Sequence, residues 1–308
     1  MKITDFNMLR EALKENEKVK VVIAGAKEEE ILLAWQARDL ADFILLGDQE
    51  EMVSYMKQHG VVESAFELIH MDDYHAAGKK AIQLIHEGKA DLPMKGNIHT
   101  SAFMGAVLNK ESGLKRERRL SQITLFSDTK TDKQGIKFLT DCAINIDLTL
   151  KVKQELIENA VLVAKLFGID TPKVALLSAV ETVKESMPDT IDSSVLTQMN
   201  RRGQIKGCLI DGPLSLDNAI SKEAAIQKGI DSEVAGVADI LVGSSLQESN
   251  SLSKSLNFYG NLATASVIVG TKQPIIMTSR TDAMENKINS IAATCYYQSQ
   301  IKVREASA

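Results

Sequence analysis

Residues 21–47 read VVIAGAKEEEILLAWQARDLADFILLG. Two short, nearly continuous apolar runs, VVIAG (21–25) and FILLG (43–47), flank a segment with helical character. A strand that is apolar at almost every position is buried on both faces, as parallel strands are when helices cover them. The stretch therefore reads as one βαβ unit, and the same alternation continues outward. Further candidate strands are ELIHM (67–71), ADLPMK (90–95), SQITLF (121–126), CAINI (142–146) and KVALLS (173–178). GCLIDG (207–212), ADILVG (238–243), ASVIVG (265–270) and PIIMTS (274–279) complete the series. Between strands the chain reads mostly as helix: Leu156, Ala160, Val163, Ala164 and Phe167 recur at helical spacing, as do Ile288, Ile291 and Ala292. The expectation is an α/β fold of parallel βαβ units with right-handed crossovers.

A chain of 308 residues can support two cores, and this many short strands exceeds one ordinary sheet. DTKTDKQG (128–135), polar and turn-rich, is where a break is expected. No linker isolates the 274–279 run from the first half. The expected domains are thus 1–126 plus 272–308, discontinuous, and 127–271. The net charge of −5 gives no general attraction to nucleic acid or anionic lipid, so an anionic substrate needs a local basic patch. Cys142, Cys208 and Cys295 are far apart, which argues against a disulfide framework or a zinc site. The N-terminal MKITDFNMLREALKENEK has no apolar core of a signal peptide, and no run is long enough to span a bilayer. A cytoplasmic protein is expected.

Ligands of open parallel sheets bind beyond the carboxyl ends of strands. Three strand ends carry suitable residues. PMKGNIHTSAFMGAVLNKESGL (93–114) follows a strand with Lys95, a Gly96–Asn97 turn, and Thr100 and Ser101 placed to cap a helix. Such a turn suits a phosphate group, and it equally suits an ordinary capped helix. PIIMTSRTDAMENKINSIAA (274–293) ends a strand in Thr278, Ser279 and Arg280. Arg280 can fork onto phosphate, while Asp282 with Glu285 has the spacing of a capping box. LIDGPLSLDNAI (209–220) places Asp211 after a strand and Asp217 where a cap would fall. Asp217 reads as structural.

Dinucleotide, P-loop, nucleophile-elbow and HExxH motifs are absent. His70, His75, His86 and His99 are scattered, and only His99 sits in a candidate loop. The basic run KRERR (115–119) has no interleaved aromatic residues, although Arg118 or Arg119 could reach a cleft.

At its three loop segments the chain resembles the phosphate butyryltransferase family, relatives of phosphate acetyltransferase. KGNIHTSAFMGAVLNKESGL, the block at 173–221 and VIVGTKQPIIMTSRTDAMENKINSIA (267–292) carry the likeness, in order, from about residue 18 to residue 300. The resemblance implies a two-domain isocitrate/isopropylmalate dehydrogenase-like fold with an active-site cleft between the domains. It implies the reaction acyl-CoA + phosphate = acyl phosphate + CoA, with butyryl or branched short-chain groups, by direct transfer in a ternary complex. Neither a metal nor an organic cofactor is implied. Coenzyme A and phosphate are substrates, and a homodimer or larger homo-oligomer is implied.

Carried over by residue, Ser279 would orient the thiol and Arg280 would bind phosphate. The position aligned with the acetyltransferase carboxylate falls near Asn286; Asp282 and Glu285 are the nearby substitutes, and Asp282 is the expected carboxylate. Lys95, Gly96, Asn97, Thr100, Ser101 and Asn250 are the expected substrate-binding residues. The segment VGSSLQESNSLSKSL (242–256) departs from the family's pattern around Ser244, Gln247 and Ser249. A catalytically altered relative that binds CoA or a phosphorylated ligand is the alternative.

Overall fold

The computed structural model describes residues 1–15, 17–114 and 116–306. Its elements run α1 (Phe6–Lys14), β1 (Val19–Ala24), α2 (Glu28–Ala37), β2 (Ala41–Gly47) and α3 (Gln49–His59). They continue with β3 (Phe66–His70), α4 (Tyr74–His86), β4 (Leu92–Lys95), α5 (Thr100–Val107), β5 (Arg116–Asp128) and β6 (Gly135–Thr140). Next come α6 (Leu150–Leu166), β7 (Lys173–Leu177), α7 (Pro188–Arg201), β8 (Leu209–Leu214), α8 (Leu216–Ile220) and α9 (Lys222–Gln227). The last are β9 (Ile240–Val242), α10 (Leu246–Phe258), β10 (Thr264–Thr271) and α11 (Met284–Ala306). The fold is mixed α/β with two sheets. No helix among the described residues is long and apolar enough to cross a membrane.

The chain divides into two units, Met1–Met8 with Arg118–Thr264, and Leu9–Glu117 with Ala265–Ala308. In the first unit β5, β6, β9, β7 and β8 are neighbours in that order. The last three pairings are parallel, but β5 and β6 are antiparallel. The run at 128–135 closes their hairpin, with Asp128 opposite Gly135. The boundary expected after Phe126 therefore falls inside β5.

CAINI (142–146) is not a strand. The buried Asp141 carboxylate accepts the Ala143, Ile144 and Asn145 amides at 3.1, 3.3 and 2.9 Å, which folds that run into a turn. The strand is GIKFLT just before it. Its apolar run is interrupted by Lys137, whose ammonium is nevertheless buried and donates to the Ala238 carbonyl at 2.6 Å. Burial pushes the pKa of Lys137 down to about 8. Phe126, Leu139, Ala175, Leu177 and Leu241 form the core of this unit with Leu214 and Ala219.

In the second unit β3, β2, β1 and β4 form a wholly parallel sheet, with Val21 opposite both Phe43 and Leu92. The expected strand at 274–279 shrinks to bridges at Ile275 and Ile276, the latter lying parallel beside Met94. Lys95 N–H donates to the Ile276 carbonyl (2.9 Å), and Ile276 N–H donates to the Pro93 carbonyl (3.0 Å). Pro93 has no N–H to offer the chain before Ile276, and Asn97 N–H beyond Lys95 goes to the Gly25 carbonyl, so the ladder extends in neither direction.

Beyond β4 the chain turns sharply over the end of β1. Gly96 and Asn97 amides donate to the Ala24 and Gly25 carbonyls at 3.0 and 2.7 Å. A Cβ on Gly96 would lie 2.4 Å from the Gly25 carbonyl oxygen and 2.9 Å from that of Ala24. Both obstacles are backbone, so neither can swing aside. Gly96→Ala should destabilise the protein by about 1–3 kcal/mol, the usual cost of forced overpacking, measured by chemical denaturation. Unchanged stability would mean that the loop does not approach β1 this closely.

Candidate active site

A cavity of about 790 Å³ lies in the second unit, beyond the carboxyl ends of β1, β2 and β4. Ala26 and Lys27 after β1, Lys95–Asn97 after β4, and Thr278–Arg280 after the Ile276 bridge all reach it. The starts of α2 and α3 form further walls. At the start of α2 the Glu30 carboxylate accepts the Lys27 N–H at 3.0 Å, and α3 is capped by Asp48, which accepts from Glu51 N–H at 3.0 Å. Ile31, Leu33, Met52 and Met94 supply apolar lining.

Four cations, Lys27, Lys95, Arg280 and Lys287, line the cavity together with Glu28, Glu29, Glu30, Glu50 and Glu51. The carboxylates are exposed apart from half-buried Glu30, whereas Lys287 is buried and Lys95 half-buried. Lys95 Nζ donates to the Gly96 carbonyl at 3.1 Å. Its pKa is held below the ordinary lysine value by burial first and by the Arg280 guanidinium second, with Glu30 pulling the other way. Burial pushes the Glu30 carboxyl up, against the opposing bond it accepts from Lys27 N–H at 3.0 Å. Lys27 Nζ stands 5.1 Å from the centre of the Tyr74 ring.

Ser279 and Arg280 sit in a tight turn. Asp282 Oδ2 accepts the Ser279 N–H at 2.9 Å, Asp282 N–H returns to the Ser279 carbonyl at 3.2 Å, and Ser279 Oγ meets Thr281 Oγ1 at 3.0 Å. Glu285 is paired with Arg10 at 2.6 Å. Asp282 itself is not in the cavity wall.

Five of the expected residues thus share one cavity: Lys95, Gly96, Asn97, Ser279 and Arg280. Thr100 and Ser101 are not in its lining, and they do not cap α5, because the N-cap position is His99. Asn250 belongs to the first unit, where its amide donates to the Cys142 carbonyl at 2.9 Å. The divergent segment around it forms a sound helix start: Ser245 Oγ accepts Glu248 N–H at 3.2 Å and Glu248 accepts Ser244 N–H at 2.6 Å. Asp211 accepts its neighbour's N–H, from Gly212, at 2.9 Å. Asp217 follows the N-cap Ser215 and meets Ser215 and Lys228 at 2.5 and 3.2 Å, a structural role. Arg119 pairs with Glu155 at 2.5 Å, and Lys115 lies outside the described residues. His70 and His86 bond to Asp72 and to the Ser112 carbonyl at 2.9 and 3.2 Å. Among the described residues no group of three His, Cys, Asp or Glu side chains is placed to hold a metal ion.

The sequence reading missed Lys27, Glu30 and Lys287. Lys287 had a visible signal, a cation in the first turn of a helix, where the backbone dipole disfavours positive charge.

An α/β unit that gathers cations and a serine–arginine turn at the carboxyl edge of its parallel sheet has the makings of a site for small anions. The chain belongs to the phosphate acetyl/butaryl transferase family, which matches residues 75–295. It is 41% identical over 295 residues to the phosphate butyryltransferase of Clostridium acetobutylicum, covering 94% of this chain and 97% of that one. The crystal structure of a branched-chain phosphotransacylase from Enterococcus faecalis superposes with a TM-score of 0.81 at 32% identity, covering 91% and 99% of the two chains. The 4-hydroxythreonine-4-phosphate dehydrogenase of Klebsiella pneumoniae shares the fold, with a TM-score of 0.55 at 12% identity over 92% and 100% of the chains.

The depressed pKa of Lys95 has a consequence for anion binding. Only the ammonium form attracts an anion, so phosphate affinity should fall as pH rises through that pKa, earlier than for an ordinary lysine. In Lys95→Arg, which stays charged, the alkaline loss should move to higher pH. Calorimetric titration with inorganic phosphate from neutral to alkaline pH measures both. Superimposable profiles would remove Lys95 from anion binding.

Proposed function

We propose that this protein transfers a butyryl or branched short-chain acyl group between coenzyme A and inorganic phosphate. The observation that carries the reading is the Ile276 bridge, which sets Ser279 and Arg280 beside the Lys95–Gly96–Asn97 turn in one cavity. The names of the relatives support the choice of acyl groups.

The proposed chemistry is direct transfer in a ternary complex. An oxygen of hydrogen phosphate attacks the thioester carbonyl carbon. The new C–O bond forms as the C–S bond breaks, and the phosphate proton ends on the coenzyme A sulfur. Arg280 binds phosphate and offsets charge on the reacting centre. Lys95 and the Gly96–Asn97 turn help to hold the phosphate. Ser279 Oγ orients the thiol or thiolate. Asp282 fixes the turn through Oδ2, and its Oδ1 is the proposed carrier of the proton. Thr100, Ser101 and Asn250 are proposed to meet parts of the substrates beyond this cavity. A thioester is already activated and phosphate is nucleophilic at neutral pH, so alignment and charge neutralisation suffice without a metal or organic cofactor. The proposal includes the isocitrate/isopropylmalate dehydrogenase-like arrangement, which the fold likeness to the Klebsiella dehydrogenase supports. It also takes the protein as a cytoplasmic homodimer or larger homo-oligomer, with no nucleic-acid or membrane partner.

Thiol release from butyryl-CoA, followed with DTNB, should require phosphate. Release without phosphate would indicate thioesterase activity. A folded protein that binds coenzyme A without releasing thiol would be an altered relative. Arg280→Ala should lower kcat/KM by about 100-fold or more, the scale of one strong transition-state contact. Asp282→Asn keeps an acceptor for Ser279 N–H but cannot carry a proton. It should lower kcat by about 100-fold, the lower end for general acid–base catalysis, with the melting temperature little changed. Near-normal turnover in Asp282→Asn would reduce Asp282 to a turn-former.

A further inference from the structure

Lys287 is the fourth residue of α11, and its side chain is only 4% exposed. Both placements are unfavourable on their own. The N-terminal turn of a helix carries partial positive charge, and a buried ammonium loses its hydration. Its Nζ is hydrogen-bonded to Glu29 Oε1 and lies 3.5 Å from the Arg280 carbonyl, at the limit of hydrogen bonding. An ammonium has three donors, and Lys287 also lines the cavity that holds Lys95 and Arg280. Glu29 is itself half exposed to solvent, so it neutralises the ammonium without enclosing it.

A cation needed only to tie α2 to the Ser279–Arg280 turn would not have to face a cavity. An uncharged hydrogen-bonding side chain would make the same tie without the cost of burying charge. We infer that the Lys287 ammonium is a direct ligand of the inorganic phosphate substrate, pre-positioned by Glu29 and the Arg280 carbonyl. The inference rests on the phosphoacyl-transfer reading. It adds a residue that donates to the anion from the α11 side, where Arg280 and Lys95 approach from the two loops. Because Lys287 is held on a rigid helix while Arg280 is exposed, it sets the position of the phosphate rather than following it.

Two variants separate charge from tie. Lys287→Gln keeps hydrogen-bonding capacity towards Glu29 and the Arg280 carbonyl and removes the charge, whereas Lys287→Met removes both. The expected result is that both raise the KM for phosphate about 10-fold or more, on the scale of one lost charge-assisted hydrogen bond. The KM for butyryl-CoA should change less than about 2-fold, with both variants cooperatively folded in thermal unfolding. Normal phosphate KM in Lys287→Gln, with or without a defect in Lys287→Met, would overturn the inference and leave a structural tie. Calorimetry with inorganic phosphate keeps the two readings distinguishable. If the wild-type protein binds phosphate and both variants lose that binding, the inference stands even where no thiol is released. If the variants bind phosphate as the wild type does, it fails even where transfer is confirmed.

Discussion

Two backbone hydrogen bonds, Lys95 N–H to the Ile276 carbonyl and Ile276 N–H to the Pro93 carbonyl, decide where the candidate site stands. Positions 95 and 276 are far apart in sequence, and each is followed by a turn rich in polar groups. The bridge sets both turns at the same edge of one parallel sheet. Asn97 N–H turns to the Gly25 carbonyl instead of continuing the pairing, so the chain after Ile276 leaves the sheet for the Ser279–Arg280 turn. Gly96 makes the matching concession on the other side, because only a residue without a Cβ fits against the Gly25 and Ala24 carbonyls. Packing, strand pairing and site geometry are consequences of the same few contacts.

The electrostatics follow from that placement. Burial and the neighbouring Arg280 both disfavour the charged form of Lys95, so the free site stores a repulsion that an entering anion relieves. Glu29 and Glu30 partly counter the local positive charge. The cavity wall is mixed in charge, and its cations Lys95, Arg280 and Lys287 stand together on the side of the two turns and the start of α11. That grouping suits a reaction between a phosphate and the thioester of a polyanionic carrier, in which the main obstacle is holding two anions together in register.

Much of the fold was legible because buried parallel strands leave continuous apolar runs, and VVIAG and FILLG show this plainly. The exceptions share a cause: the deciding interaction joins distant residues or hides a charge. GIKFLT was passed over because Lys137 breaks its apolar run, and nothing local reveals that the ammonium finds the Ala238 carbonyl a hundred residues away. CAINI looked like a strand because its apolar residues gave no hint that Asp141 gathers their amides. The β5–β6 hairpin is a local exception, since a polar turn marks a hairpin as readily as a break between domains. At the site, the glycine turn and the serine–arginine pair were visible as short local patterns. The Glu29–Lys287 pair was not, because its two halves are 258 residues apart. Asn250 was assigned to substrate from its family context, and its contact in this structure is with the loop after β6.

The central claim is that the carboxyl edge of the β1–β4 sheet receives the phosphate. A crystal structure of the protein with inorganic phosphate, at a concentration that saturates turnover, tests it most directly. The account predicts phosphate in the cavity, within hydrogen-bonding distance of Arg280 and of Lys95 or the Asn97 side chain. A phosphate bound elsewhere on the chain at that concentration, with this cavity filled only by water, would contradict it.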